Sequence, residues 1–458
     1  MKKIYIVIIL AIIGLKANAQ YTILLNFDSA NGSNPYGSLI YDGTYLYGMT
    51  SLGGTYNDGT IFKIKPDGSN YAKLLDFAGA TNGKSPAGSL ISDSNFLYGM
   101  TGEGGIHGAG TIFKIKPDGS NYVKLLDFNG TNGNGATGSL IYDGTFLYGM
   151  TGIGGAYDDG TIFKIMPDGS SYVKLLDFND TNGMRPYGSL IYDGTFLYGM
   201  TSNGDTTGMG VGFGTAFKIK PDGSNYVRLI YFSFTNGGTP YGSLISDGTF
   251  LYGMTSAGSD ANDNGTIFKI KPDGSNYVEL LDFNDTNGSY PFFGSLIADS
   301  AFLYGMTERG GIHNVGAIFK IKPDGSNYVK LLDFNNTNGN SPAGSLISDG
   351  TFLYGMTKIG GANADGVVFK LAIQGAGIKE INENNSIVVY PNPTSNTLII
   401  ESPQKAVIEI TNIQGQLIKV IPTNAIKTNI NVSSFPSGVY IVQVKSDKVY
   451  KVGKFVKE

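Results

Sequence analysis

Only two histidines stand in the 458 residues, His107 and His313, each in a Gly-Gly-Ile-His stretch. An imidazole can act as base or ligand, but a metal site needs several donors within ~2.0–2.2 Å of one ion. The two histidines occupy the second and sixth copies of a repeat, so they read as separate surface loop residues. Acidic loop clusters at Asn57-Asp58, Asp158-Asp159, Asp260 to Asp263 and Asp365 could offer oxygen to Ca²⁺, the one cofactor left open. None has the Asp-x-Asp-x-Asp-Gly spacing of a calcium loop, and Asp177–Gly183 places its glycine one residue late. Asn and Asp also build turns, which accounts for the same residues. No Gly-x-Ser-x-Gly elbow, P-loop or His-Glu-x-x-His is present. A carboxylate pair for glycoside hydrolysis leaves no local spacing, but most carboxylates here recur with the repeat, as in Pro-Asp-Gly, and so belong to structure.

Aromatic side chains divide the same way. Tyr47, Phe62, Phe77 and their counterparts recur in every copy and are read as core between neighbouring units. Tyr36, Tyr187, Tyr241 and Phe292 depart from the repeat, standing where other copies have Ala87, Thr137 and Ala343. Rings at such positions could stack on sugar faces or on a peptide. Packing against the next unit competes with that reading.

The elements that position these residues repeat seven times. Leu-Tyr-Gly-Met-Thr begins at Leu46, Leu97, Leu147, Leu197, Leu251, Leu303 and Leu353. Repeats of about 40–50 residues with four strands each predict a β-propeller. In the third copy strand a is expected at Gly138–Ile141, b at Phe146–Thr151, c at Gly160–Ile165 and d at Tyr172–Phe178. Asp143-Gly144-Thr145 and Pro167-Asp168-Gly169 supply the a–b and c–d turns. Those hairpins keep constant length, whereas the b–c loop grows from Thr101–Gly110 to Thr201–Gly214 and the d–a loop also varies. All insertions therefore fall on one face, where binding is expected, and Ser202 to Phe213 is the longest break in symmetry. The mature chain opens with a lone d-like strand, Thr22–Phe27, and the seventh copy ends after strand c at Leu371. The fold expected is thus all-β: a seven-bladed β-propeller over 20–373, closed by the N-terminal strand.

Composition agrees. Gly is abundant at 67, with 29 Tyr, 26 Phe, no Trp and no Cys, and only 15% of residues are charged. Absence of cysteine excludes disulfides, thiolate metal sites and a lipid-modified cysteine. Lys2, Lys3, the apolar run Ile4–Leu15 and Ala17-Asn18-Ala19 read as a signal peptide, 1–19. The apolar run is shorter than the roughly 20 residues a spanning helix needs, and no later segment could span either. Residues 20–373 hold 21 Lys+Arg against 31 Asp+Glu, a net of −10, which argues against nucleic acid. Residues 374–386 read as a linker, and 387–458, with 8 basic and 4 acidic groups, as short alternating strands of a small Ig-like β-sandwich.

In that tail Tyr390-Pro391-Asn392-Pro393, the Gln414-Gly415 turn, Gly438-Val439-Tyr440 and the basic end at Lys454 and Lys457 resemble the C-terminal sorting domain of type IX secretion substrates. The resemblance covers about the last 75 residues. It implies export across the outer membrane, with the secretion machinery as partner and release or surface attachment as outcome. The repeats, through Leu-Tyr-Gly-Met-Thr, the Gly-Gly of the b–c loop, Gly-Thr-x-Phe and Leu-Leu-Asp-Phe, resemble the Gloeo/Verruco-type "choice-of-anchor" tandem repeats over 20–373. That family brings no catalytic residues to carry over. The sequence therefore points to a secreted or surface binding module for carbohydrate or protein. Its rivals are an extracellular polysaccharide hydrolase or lyase and an adhesive protein without a discrete site. Near-identical copies favour binding or adhesion over catalysis, since a catalytic centre breaks symmetry at one place.

Overall fold

The structure is a computed structural model that describes residues 21–204, 212–233, 235–258, 264–373, 387, 389–402, 405–412, 417–446 and 449–458. The expected signal segment 1–19, the linker 374–386, the Gln414-Gly415 turn, Asp260 to Asp263 and most of Ser202–Phe213 lie outside them. The chain divides into two compact units at Gly375/Ala376. Every regular element among the described residues is a strand.

The first unit consists of repeated four-stranded antiparallel sheets, seven among the described residues. In the third repeat the strands are Ile141–Tyr142, Leu147–Thr151, Thr161–Ile165 and Val173–Asp177, paired in that order. The inner faces of b and c are buried on both sides, so Leu147 to Thr151 are all buried, which explains a run without alternation. Both expected turns are present. Asp143 Oδ1 accepts the N–H of Thr145 and of Phe146, and Gly144 takes φ +98°. In the c–d turn Gly169 takes φ +90°, and Asp168 Oδ1 accepts the Ser170 N–H.

Strand a departs from expectation. Only Ile141 and Tyr142 pair with strand b, not the run from Gly138. Gly138 and Ser139 turn their backbone sideways to the neighbouring repeat. The Ser139 N–H donates to Ser189 Oγ at 2.8 Å, so the donor that a ladder would use is committed elsewhere. A Cβ on Gly138 would lie 2.1 Å from the Gly188 carbonyl oxygen, so this approach admits only glycine.

The strand Tyr21–Asn26 pairs with Val367–Ala372 of the seventh repeat, in register Tyr21↔Leu371 to Asn26↔Val367. Tyr21 also donates its hydroxyl to the Asn338 carbonyl, as Tyr71 does to Asn31 and Tyr122 to Asn82. It thus fills the place of the strand-d tyrosine that the seventh repeat lacks.

The core lies between sheets. Tyr98, Met100, Ile112 and Phe128 of the second repeat pack on Leu140, Leu147, Phe163 and Ile165 of the third. The same arrangement joins Tyr354, Met356 and Val368 of the seventh to Leu39, Leu46 and Phe62 of the first. Burying each such side chain stabilises by about 1.5–3 kcal/mol. The recurring tyrosine is anchored at its polar end, with the Tyr148 hydroxyl on Asp143 Oδ2 at 2.8 Å.

The second unit has two sheets. One orders Val389–Tyr390, Thr397–Glu401 and Lys427–Asn431. The other orders Leu417–Thr423, Ala406–Asn412, Gly438–Ser446 and Val449–Lys457. Leu398, Ile400 and Ile430 of the first sheet share one core with Ile408, Ile410, Val442, Val444 and Phe455 of the second.

Candidate functional site

Seven serines of the first unit are linked in a circuit of hydrogen bonds. The N–H of Ser38 donates to Ser89 Oγ, Ser89 to Ser139, Ser139 to Ser189, Ser189 to Ser243, Ser243 to Ser295, Ser295 to Ser345, and Ser345 back to Ser38, at 2.7–3.0 Å. All seven line one cavity of about 80 Å³. Each hydroxyl accepts one N–H and keeps its own proton to donate, so the floor of the cavity is polar but uncharged.

The walls break the sevenfold pattern. Tyr36, Tyr187 and Phe293 line the cavity with Ala87 and Thr137. Tyr187 stacks on Tyr241 at 5.5 Å between centroids, and Tyr241 meets Phe292 at 4.1 Å. Phe293 joins the group, lying 6.0 Å from Tyr36, 6.1 Å from Tyr187, 5.6 Å from Tyr241 and 4.4 Å from Phe292. The four aromatics singled out by sequence therefore do come together. Tyr36 and Tyr187 line the cavity, whereas Tyr241 and Phe292 do not. All are half-buried. Burial pushes the Tyr241 phenol above its ordinary pKa, and Tyr187 adds to the shift.

Phe293 in the lining was not expected, nor was the Glu308–Lys358 pair beside Tyr36. Phe293 is one residue more than the other repeats carry between this proline and glycine, as Pro291-Phe292-Phe293-Gly294 beside Pro186-Tyr187-Gly188 shows. That extra residue was its signal. Glu308 and Lys358 follow the Leu-Tyr-Gly-Met-Thr strand where other repeats have Ser or Gly, as at Ser51 and Gly102. Lys358 Nζ pairs with Glu308 Oε1 at 2.9 Å, with side chains only 17% and 14% exposed. The same ammonium lies 4.6 Å above the Tyr36 ring. Burial disfavours the ammonium, but the hydrogen bond and charge of Glu308 outweigh it and hold Lys358 above its ordinary pKa. At the corresponding position of the fifth repeat Ser256 Oγ is buried without a hydrogen-bond partner among the described residues.

Other candidates disperse. His107 and His313 are exposed on loops of different repeats. Among the described residues no three His, Asp or Glu side chains gather as a metal site would require. Asn129 and Asn179 are engaged in turns through their side-chain oxygens, which accept from Thr131 and Asn132 and from Thr181 and Asn182. The tips of the b–c loops carry Tyr56 and Ile312, 62% and 76% exposed. These tips are held by strand d, as Asp333 Oδ1 accepts the Ile312 N–H.

The residues of the expected sorting motif converge on the last strand of the second unit. Gly438, Val439 and Tyr440 pair with Lys457, Val456 and Phe455. Tyr440 stacks on Phe455 at 5.3 Å and donates its hydroxyl to the Pro436 carbonyl. Asn392 bridges the same strand, donating to the Lys454 carbonyl and accepting the Val456 N–H at 2.9 Å. Tyr390 instead pairs with Ile399 and donates its hydroxyl to Glu401.

Fold and site define an all-β repeat protein of propeller-like architecture with a separate C-terminal domain. The chain belongs to the Gloeobacter/Verrucomicrobia repeat family, whose model matches residues 12–213 and 211–397. Residues 388–458 match the secretion system C-terminal sorting domain, which makes the protein a secreted or cell-surface product of type IX export. No curated protein matches the chain. Among solved structures it is similar to PorZ, a surface component of the type IX secretion system of Porphyromonas gingivalis, at 15% identity and TM-score 0.50, covering 95% of this chain and 60% of that one. It is similar to the extracellular domain of the hybrid two-component system BT4673 from B. thetaiotaomicron at 13% and 0.53, covering 96% and 59%. The GH74 enzyme of Niastella koreensis matches at 14% and 0.52, covering 94% and 67%. At such identity the likeness concerns fold, and the chain spans about three fifths of the first two. No helix among the described residues is long and apolar enough to cross a membrane.

Proposed function

We propose that this protein is a secreted or cell-surface binding module for carbohydrate. Its scaffold is a seven-bladed β-propeller over 20–373 that the N-terminal strand closes. A signal peptide over 1–19 and an Ig-like sorting sandwich over 387–458, joined by the linker 374–386, serve its export. The pairing of Tyr21–Asn26 with the seventh repeat and the return of the serine hydrogen bonds from Ser345 to Ser38 support the closed ring. Two sheets around one core support the sandwich.

One observation carries the binding reading. Among the described residues, aromatic departures from the repeat gather at one cavity, where Tyr36, Tyr187 and Phe293 line it together with seven serine hydroxyls. Rigid aromatic walls with a few polar groups suit a sugar, whose faces stack and whose hydroxyls both donate and accept. A hydrolase is favoured less, because no carboxylate among the described residues lines the cavity and Glu308 is held by Lys358. Glycoside hydrolysis takes two carboxyl groups flanking the bond. The test is binding of the mature chain to an array of polysaccharides, beside Tyr36→Ala and Tyr187→Ala. Binding lost in both variants with melting unchanged supports the reading. Binding to no glycan on the array sinks it.

A further inference from the structure

A second cavity, of about 570 Å³, is lined by the first two repeats and shares no lining residue with the serine-lined one. Tyr41, Asp42 and Tyr47 of the first repeat line it together with Ile91, Ser92 and Ser94 of the second. Ser92 and Ser94 are exposed, so the cavity reaches solvent. Its volume is in the ordinary range of small-ligand sites.

The other repeats show what fits there. The residue that ends strand a is Tyr41, Tyr142 and Tyr192 in the first, third and fourth repeats, but Ser92 in the second. Each of these tyrosines lies near the recurring tyrosine of the preceding repeat. Burial and Asp93 push the Tyr98 phenol above its ordinary pKa, and the Tyr142 phenol adds to the shift. After burial and the partner aspartate, Tyr192 acts likewise on Tyr148, and Tyr41 on Tyr354. Tyr47 is raised by burial, then by Asp42 and Tyr45 of its own repeat. The junction of the first and second repeats thus lacks the neighbouring ring, and a cavity lined by Tyr47 and Ser92 stands there. The polar end has a counterpart too. The Tyr41 and Tyr142 hydroxyls donate to the Gly43 and Gly144 carbonyls at 2.8 Å. In the second repeat that turn residue is Ser94, whose φ of +77° keeps the left-handed form of Gly43 and Gly144, at +93° and +98°. Its carbonyl is the acceptor that a phenol placed like Tyr142 would meet.

We propose that this cavity binds a para-substituted phenol, its ring seated as Tyr142 is seated one repeat further on. The chemistry is that of a tyrosine side chain, supplied by a peptide or by a free phenolic compound. The site is independent of the carbohydrate reading, and neither depends on the other.

Calorimetric titration of the mature chain with p-cresol, N-acetyl-tyrosinamide and toluene tests it. At least one of the two phenols is expected to bind at least tenfold tighter than toluene, which has the ring without the hydroxyl. Tighter binding of N-acetyl-tyrosinamide assigns a peptide source and tighter binding of p-cresol a free phenol, and either supports the site. Ser92→Tyr combined with Ser94→Gly copies Tyr142-Asp143-Gly144 of the third repeat, so melting should hold while phenol binding falls at least tenfold. Ser348→Tyr puts the same ring at the corresponding position of the seventh repeat and should leave binding unchanged. Binding of neither phenol, equal binding of toluene, full binding by the folded double variant, or an equal loss in Ser348→Tyr overturns the proposal. Should the double variant fail to fold, wild-type crystals soaked in p-cresol decide the matter. A ring between Tyr47 and Ser92 supports the site, and its absence there overturns it.

Discussion

At the scale of single residues, two kinds of aromatic do different work. Tyr148 is 2% exposed and tied to Asp143, so Tyr148→Ala leaves a cavity, takes one hydrogen bond from Asp143 and should cost about 3–5 kcal/mol. Tyr187 is half-buried at the mouth, and Tyr187→Ala should lower the melting temperature far less while weakening glycan binding. Equal destabilisation by both would make Tyr187 a packing residue. The partner carboxylates give a pH signature. Burial pushes the Asp143 carboxyl up, but N–H groups of Phe146 and Thr145 and the Tyr148 hydroxyl outweigh it, so its pKa lies below the ordinary 3.8. Asp42, Asp93, Asp193, Asp247, Asp299 and Asp349 are lowered for the same reasons. A carboxyl lowered on folding stabilises above its unfolded pKa, and that contribution is lost as pH falls through the folded value. Melting measured from pH 7 to 2 should therefore drop steeply below about pH 4. Asp143→Asn should melt lower at pH 7 and show a smaller drop. An unchanged drop would remove these carboxylates from the account. Sequence could separate the recurring tyrosines from Tyr36, Tyr187, Tyr241 and Phe292 because periodicity marks core directly. It missed Lys358 and Glu308 because a charge after a buried strand reads as a loop residue until packing brings the sixth and seventh repeats together.

At the scale of elements, hairpin turns and strands b, c and d were legible because their spacing is constant and their residues dictate φ. Strand a was overread. Gly138-Ser139 has the composition of a strand start, but its hydrogen bonds go to the neighbouring repeat, a non-local partner that no window of sequence contains. The N-terminal strand was legible for the opposite reason, since a lone d-like strand is complemented by a unit lacking one. Its role makes a strong prediction. Deleting Tyr21 to Phe27 removes the ladder to Val367–Ala372, the Tyr21 hydroxyl bond and the buried Phe27. The exposed edge should then pair with another chain or the ring should loosen. Light scattering and thermal melting read both outcomes. A deletion variant that stays monomeric with an unchanged melting temperature would show that the strand does not close the ring.

At the scale of the whole molecule, the two units keep separate cores. Every residue in the cluster around Ile408 and Phe455 belongs to the tail, and those around the repeats belong to 21–373. Loss of the tail should therefore leave the repeats folded and change only where they go. Within the tail the residues of the expected sorting motif sit in a folded arrangement. Asn392 and Thr394 hold the last strand through backbone bonds to Lys454, Val456 and Glu458, and Tyr440 stacks on Phe455. Removing only Lys454 to Glu458 takes away the partner of both segments. Tyr390–Pro393 and Gly438–Tyr440 stand far apart in the sequence, which gives no reason for their coexistence, and the shared strand supplies it. Two truncations in the native host test this. Deleting 387–458 should leave a protein with the melting temperature of the intact repeats, retained inside the outer membrane. Deleting 454–458 should give the same retention, since the motif residues remain but lose their common support. If the shorter truncation reaches the surface or medium as well as the full chain, the last strand is dispensable for sorting, and Tyr390 to Pro393 must be read without it.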